Sequence, residues 1–183
     1  PNGELIIVER SGEYLTVADL KRRGKPLKRN GSASIWDMGE QVLLVEYHTK
    51  MNAMDPMNME MLLNAVDMAE SGNWKGVVIG NDATNFCAGA NLNGIIQYCE
   101  SNDYETIGAR TKILQDVTQR MRFFESPIVA APFHLTLGGG FELVAPASHR
   151  VALGELYIGA VEVGVGLIPG AGGNLRVLIN LME

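Results

Sequence analysis

Apolar residues recur along this chain with two different periods, and the alternation between them predicts a succession of strands and helices. Residues 32–36 (Ser-Ala-Ser-Ile-Trp) begin a strand, Asp37 to Glu40 make a turn, and Gln41 to Tyr47 continue as a second strand, which predicts a hairpin. Over 56–71, Met57, Met61, Leu62, Ala65, Val66 and Ala69 stand at helical spacing. That Met-rich face reads as packing rather than as a cofactor box. Lys75 to Gly80 is a short apolar run bounded by glycine, the pattern of a buried strand. A turn over 81–85 passes into the loop Phe86 to Asn91. A helix is predicted over about 103–124, ending at Ser126-Pro127, because a proline disfavours helical backbone in the residue before it. A strand over 128–131 follows, and Leu137 to Leu143 then turns the chain through three glycines into another helix. Arg150 to Leu153 reads as a further strand, and Gly164 to Gly173 is a Gly-rich loop before a last helical start. Strands alternating with helices predict an α/β layered fold with parallel strands.

Composition fits one domain. The chain has 183 residues, 46% hydrophobic and 20% charged, enough to bury one core. Residues 1–34 are polar and carry the basic stretches 21–25 and 28–29, which read as a solvated linker or arm, leaving 35–183 as the core. The formal net charge of −6 argues against a nucleic-acid partner, although local basic groups and backbone N–H donors can still hold an anionic ligand. Two cysteines, Cys87 and Cys99, without paired-motif spacing, argue against a disulfide framework and fit a reducing, cytoplasmic setting. No apolar run reaches the roughly 18 residues of a membrane span, and no signal peptide opens the chain. The first residue is Pro1, so the chain reads as a fragment of a longer protein.

Several chemistries are removed by what the sequence lacks. There is no Walker A string, and a dinucleotide fingerprint begun at Gly170 would need glycine where Leu175 stands. His48, His134 and His149 lack ligand spacing with Cys, Asp or Glu, so no metal site is expected. No serine sits in Gly-x-Ser-x-Gly. Cys87, among apolar neighbours, reads as a packed thiol rather than a nucleophile.

Two glycine-flanked turns and two acids remain. Small residues at Ala88-Gly89-Ala90 permit close approach to a ligand. Gly138-Gly139-Gly140, leading into a helix, offers free N–H donors and the positive end of a helix dipole. Two such donors aimed at one carbonyl oxygen would stabilise an enolate, at about 3–4 kcal/mol per donor in acyl-transfer precedents. Tight packing is the commoner explanation of such a turn, and Glu142 alone reads more readily as a capping or solvated acid. Glu162 is harder to dismiss, because it lies in an apolar run where an unpartnered carboxylate is costly. Two carboxylates sharing a partly dry site couple, and such a pair can take one proton from a water and deliver another. The residues themselves carry the reading this far, to a paired-acid enzyme.

The strings Asn85 to Leu92, Leu137 to Leu143 and Val161 to Gly173, with Lys50-Met-Asn-Ala53 before them, resemble the enoyl-CoA hydratase/isomerase (crotonase) superfamily, in order, over about residues 35–180. The resemblance implies a ClpP/crotonase-like β-β-α spiral without the C-terminal helices of a full unit, and a CoA-thioester substrate. It implies an oxyanion hole from the N–H groups of Ala90 and Gly139. Glu142 would be the base that activates water and Glu162 the acid that protonates the α-carbon. Ala88, with Gly89 beside it, would lie by the CoA adenine, Gly138 would line the substrate site, and Gly170 would help to orient the acids. The implied reaction is hydration of a trans-2-enoyl-CoA to a 3-hydroxyacyl-CoA in fatty-acid β-oxidation. Isomerase chemistry on the same fold and a non-catalytic acyl-CoA-binding or assembly domain are the alternatives.

The chain departs from the family pattern at Asn91, where an aspartate is usual, and over Pro132 to Thr136. Those features, with the string His48 to Ala53 and the first 34 residues, resemble the hydratase-like part of a bacterial multifunctional 3-hydroxyacyl-CoA dehydrogenase. A dehydrogenase domain would then precede this region and NAD would belong there, with no cofactor in this region itself. A trimer-type homo-oligomer is also implied, and without the C-terminal helices the chain is expected to be folded but poorly active.

Overall fold

The computed structural model describes residues 14–182. Its frame is the predicted hairpin. Strand β2 (Ala33–Asp37) pairs antiparallel with β3 (Val42–Tyr47). The turn between them is closed by the Asp37 carboxylate, which accepts the Gly39 N–H at 2.7 Å, and it passes through Gly39 at φ +90°, a conformation glycine adopts without strain. Beyond β3 the sheet becomes parallel, through β4 (Gly76–Ile79), β5 (Ile128–Ala130) and β7 (His149–Arg150), while β1 (Lys28–Arg29) adds an antiparallel edge to β2. Parallel neighbours need crossovers. Helix α2 (Pro56–Met68) supplies the first, α3 (Leu92–Glu100) and α4 (Tyr104–Arg122) the second, and β6 (Leu135–Leu137) with α5 (Gly139–Val144) the third. A second small sheet pairs β6 in parallel with β8 (Tyr157–Gly159), and α6 (Gly173–Met182) follows.

One face of the main sheet carries Ile35, Leu43, Val45, Val77, Ile79 and Ile128 in a single buried cluster with Met59, Leu62 and Val66 of α2 and Val117 and Met121 of α4. Burial of such side chains, at about 1.5–3 kcal/mol each, is the main force holding the helices to the sheet. Helix α2 starts where local chemistry directs it. Asp55 caps it by accepting the Asn58 N–H at 2.9 Å, Asn58 Oδ1 accepts the Asp55 N–H at 3.0 Å, and Pro56 occupies the first turn. Its predicted extent over 56–71 is met by α2 and a π-helical turn at Ala69–Asn73, with Gly72 at φ +111° ending the run.

The other face of the sheet corrects the reading of 1–34 as a linker or arm, so far as the described residues go. Helix α1 (Val17–Arg23) buries Val17 and Leu20 against Trp36 and Leu44, and β1 is part of the sheet. Thr16 and Asp19 form a capping box at its start, and the basic residues expected to be solvated complement its C-terminal end. Lys21 Nζ lies 2.6 Å from Glu46 Oε1, and Trp36 Nε1 donates to Glu46 Oε2 at 2.8 Å, so one buried carboxylate ties helix to sheet. Helix α1 therefore packs on the sheet, and β1 extends its edge.

One further expectation shifts. The strand expected at 150–153 is the two-residue β7. Helix α3 and the β6–β8 sheet are elements that the sequence does not predict. Toward the end of the chain many large apolar side chains are exposed, among them Val163 and Ile168, each at 81%, and Leu181 and Met182, each at 79%. No described helix is long and apolar enough to cross a membrane.

Candidate active site

The loop 85–91 is positioned by the segment 50–54. Met51 and Asn52 take left-handed backbone angles, φ +58° and +50°, an arrangement that costs free energy and persists only where surrounding bonds enforce it. Here they do. Met51 O accepts the Ala88 N–H at 3.2 Å, Asn52 Nδ2 donates to Asn85 O at 2.9 Å, and Met54 donates to Gly89 O at 2.8 Å while accepting from Asn91 at 3.2 Å. Ala90 is thus bracketed on both sides, yet its own N–H donates to no described residue.

The second turn lies against the first. Gly138 has φ +53° and ψ −123°, a region closed to side chains, and its N–H donates to Gly159 O at 2.9 Å. The next N–H, that of Gly139, opens α5 and donates to no described residue, so it is one of the free donors that every helix start presents. The turns are close: a Cβ built on Gly89 would sit 3.0 Å from Leu137 O and 3.8 Å from Gly139 N. Glycine at 140 is required for another reason, since a Cβ there would meet Cys87 O at 2.5 Å. Cys87 is itself buried, and burial pushes its thiol up to about 11, consistent with a packed, protonated sulfur.

Glu142 is buried on the first turn of α5. Its Oε1 accepts the N–H groups of Ala171 at 2.8 Å and Gly173 at 2.9 Å. The receiving turn passes through Gly172 at φ +90° and is held by α4, with Gln115 Nε2 donating to Gly170 O at 2.7 Å and Thr118 Oγ1 to Ala171 O at 3.0 Å. Burial raises the pKa of Glu142; the Gly173 and Ala171 N–H groups oppose this, the charge of Glu162 adds to it, and the Gly170 N–H opposes it last. The two close bonds come from Ala171 and Gly173, just after Gly170. Those donors, and Met54, were missed by the sequence reading. Their one signal is adjacency, to the Gly-rich loop in one case and to Lys50-Met-Asn-Ala53 in the other.

Glu162 begins a 3₁₀ turn (Glu162–Val165) directly after β8. Its Oε1 lies 3.0 Å from where a Cβ on Gly138 would stand, so the carboxylate rests over the glycine turn. Its Oε2 is buried and accepts no hydrogen bond from a described residue. An unpartnered buried carboxylate oxygen is costly and calls for a donor. The arrangement thus sets Glu142, whose pKa the charge of Glu162 helps to raise, and the open acceptor of Glu162 beside two adjoining turns with unused N–H donors. Of the residues singled out in the sequence, Gly89, Ala90, Gly138, Gly139, Glu142 and Glu162 converge on these turns. The N–H of Ala88 is taken by Met51 O, and Ala88 is half-buried.

Residues 41–178 match the sequence model described as enoyl-CoA hydratase/isomerase. The chain is 38% identical over 188 aligned residues to a Bacillus subtilis protein named as a probable 3-hydroxyacyl-CoA dehydrogenase, an alignment covering 98% of this chain and 24% of that protein. It is 30% identical to a crotonyl-CoA hydratase of Syntrophomonas wolfei, over 75% of this chain and 54% of that one. Among solved structures, an enoyl-CoA hydratase from Polaromonas sp. JS666 superposes with a TM-score of 0.76 at 25% identity, covering 80% of this chain and 58% of that one. The chain therefore spans between about a quarter and somewhat over half the length of these relatives.

Proposed function

This chain belongs to the enoyl-CoA hydratase/isomerase family, and we propose that within it the protein hydrates trans-2-enoyl-CoA thioesters to 3-hydroxyacyl-CoA. The observation that carries this reading is the placing of Glu162 over Gly138, one residue before the free N–H of Gly139 and four before Glu142. The thioester oxygen would accept the N–H groups of Ala90 and Gly139. Glu142 takes a proton from water as the hydroxyl oxygen bonds to the β-carbon. The electron pair of the double bond passes into the enolate, whose oxygen is held by the two donors. Glu162 then delivers a proton to the α-carbon, and the thioester carbonyl is restored. Water is consumed and no oxidant or reductant is required, so this region would use no cofactor of its own.

A 3-hydroxyacyl-CoA is what a 3-hydroxyacyl-CoA dehydrogenase oxidises. We extend the proposal accordingly: this region works in one longer chain with such a domain, which would use NAD. The near-complete alignment of this chain within a much longer relative of that name supports it.

The test is loss of the conjugated enoyl absorbance of crotonyl-CoA, with a 3-enoyl-CoA run in parallel for isomerase activity. Glu142→Gln and Glu162→Gln are each expected to lower kcat by about 10²–10⁴-fold while thioester binding changes little. Near-normal hydration by both variants would remove the paired-acid mechanism. Faster turnover of the 3-enoyl ester by the unmodified protein would replace hydration with isomerisation.

A further inference from the structure

The two N–H groups that hold the Glu142 carboxylate belong to peptide units whose carbonyls are held as well. A trans peptide is planar and points its C=O and N–H in opposite directions, so a bond at one end orients the other. The unit joining Gly170 to Ala171 gives its N–H to Glu142 Oε1 at 2.8 Å, and its oxygen accepts Gln115 Nε2 at 2.7 Å. The unit joining Gly172 to Gly173 gives its N–H to the same Oε1 at 2.9 Å. Its oxygen accepts the Arg176 N–H at 2.9 Å as α6 begins. Between these two units, the Ala171 oxygen accepts Thr118 Oγ1 at 3.0 Å. Gln115 and Thr118 stand at i and i+3, on one face of α4.

We propose that Gln115 and Thr118 are positioning residues for Glu142, keeping the 170–173 turn oriented so that its N–H groups stay on the carboxylate. The inference rests on the hydratase reading, in which that carboxylate activates water. The turn needs a hold from outside, because glycine at 170, 172 and 173 leaves its backbone soft, and Gly172 lies at φ +90°. If the Gly170–Ala171 peptide turned over, a carbonyl oxygen would face the carboxylate where a donor now stands. A carbonyl that accepts a bond also strengthens the N–H of its own peptide as a donor. Gln115 thus acts on Glu142 through a single peptide unit, and Thr118 by fixing the unit between the two donors. The Thr118 hydroxyl also lies 2.9 Å from Gln115 O, so its one proton is shared between helix and turn.

Neither residue brings a charge to the site. The charged side chains that share the surroundings of Glu142 are Glu162, after β8, and Arg176 of α6, which lines a small cavity with Glu142, Thr118 and Gln119. An uncharged replacement on α4 leaves those charges as they are, so a change in how Glu142 titrates reports its donors. The donors also set the direction. N–H bonds favour the ionised carboxyl and hold its pKa down against burial, so loosening the turn raises it.

The test titrates Glu142 directly, by carbon-13 NMR of its carboxyl in protein labelled at glutamate, the resonance being assigned by its loss in Glu142→Gln. Thr118→Val and Gln115→Met remove the donors at nearly constant volume, and Thr118→Ser keeps a hydroxyl. Both donor deletions should raise the Glu142 pKa by about half a pH unit or more, as one weakened hydrogen bond would, and serine should restore it. The acid limb of kcat/KM for crotonyl-CoA should move upward in step. A purely structural role for α4 would lower Tm in these variants without moving either titration. Gln115 is exposed, so its variant keeps the test open should Thr118→Val not fold. A Glu142 pKa unchanged in the folded deletion variants overturns the proposal, whatever happens to Tm, as does a serine variant that shifts as far as the valine one. If no ester is hydrated but the NMR titration shifts as expected, the hydratase reading falls and the positioning role stands. If hydration proceeds and the titration does not move, the positioning role falls and the hydratase reading stands.

Discussion

A carboxyl group taken out of water holds its proton more tightly, and Glu142 is in that position despite the two N–H groups that partly compensate its charge. Its folded pKa is raised from the ordinary value of 4.5. The folded protein then binds this proton more tightly than the unfolded chain does. Glu142 contributes its stability fully below the ordinary carboxyl range, and that contribution is lost as pH rises through the elevated folded value. Glu142→Gln stays neutral throughout, so its Tm should exceed that of the unmodified protein near neutrality. The difference should shrink toward about pH 4.5, with each 1 kcal/mol of relief worth roughly 2–4 °C. Activity should show the opposite dependence. If Glu142 is the base, kcat/KM falls on the acid side through an apparent pKa above the usual carboxyl value. Scanning calorimetry and a pH–rate profile measure both. A Tm difference that widened toward acid would contradict a raised pKa. At this scale the sequence was informative about identity and silent about support. Glu142, Glu162, Ala90 and Gly139 stand in legible strings, but their hydrogen-bond partners are set by how distant segments meet. No local pattern marks Ala171 as a donor to a residue 29 positions earlier.

Helices and turns reported themselves through periodicity where they were long and through glycine where they were tight. Helix α4, predicted over 103–124, runs from Tyr104 to Arg122, and the predicted hairpin is present as β2–β3. Helix α3 was not visible because Gly94 interrupts its short pattern and no side chain caps its start at Asn91. The strands β6 and β8 are three residues each, too short to establish alternation, and they exist because they pair with each other. Glycines in these elements differ sharply in what they permit. A Cβ on Gly108, within α4, would meet nothing within 4 Å, whereas one on Gly140 would meet backbone at 2.5 Å. Gly108→Ala should therefore stabilise the protein by about 0.5–1 kcal/mol by relieving the entropic cost of glycine in a helix. Gly140→Ala should destabilise it by about 1–3 kcal/mol through overpacking, with loss of activity as α5 shifts. Urea denaturation of the two variants separates these effects, and equal midpoints would show that the packing at Gly140 is not as described.

The molecule as a whole is a sheet covered on both faces, and the smaller cover was the part hardest to read. Helix α1 has only two buried apolar residues, set in a run of Lys and Arg whose composition is that of a solvated arm. Its place is decided by Leu44 and Trp36, apolar side chains on the second face of a sheet, which need covering. Leu20→Ala should cost about 2 kcal/mol, toward the lower end of such truncations because the site lies at an edge. It should also shift the fluorescence of Trp36 to the red by letting water reach the indole. An unchanged Tm together with unchanged emission would show that α1 contributes no packing.

The bond between Glu142 and the 171–173 turn also bears on the order in which the protein is made. A chain synthesised from its N-terminus produces this glutamate 29 and 31 residues before the N–H groups that hold it. At ordinary elongation rates the interval is on the order of 2–6 s. The hairpin and the β3–β4 pair are complete in sequence well before then. Helix α5 must meanwhile keep its acid in water or protonated, because a bare carboxylate would oppose its burial. The centre around Glu142 in a nascent chain would therefore be completed only with the docking of 171–173, after every strand of the main sheet has been synthesised.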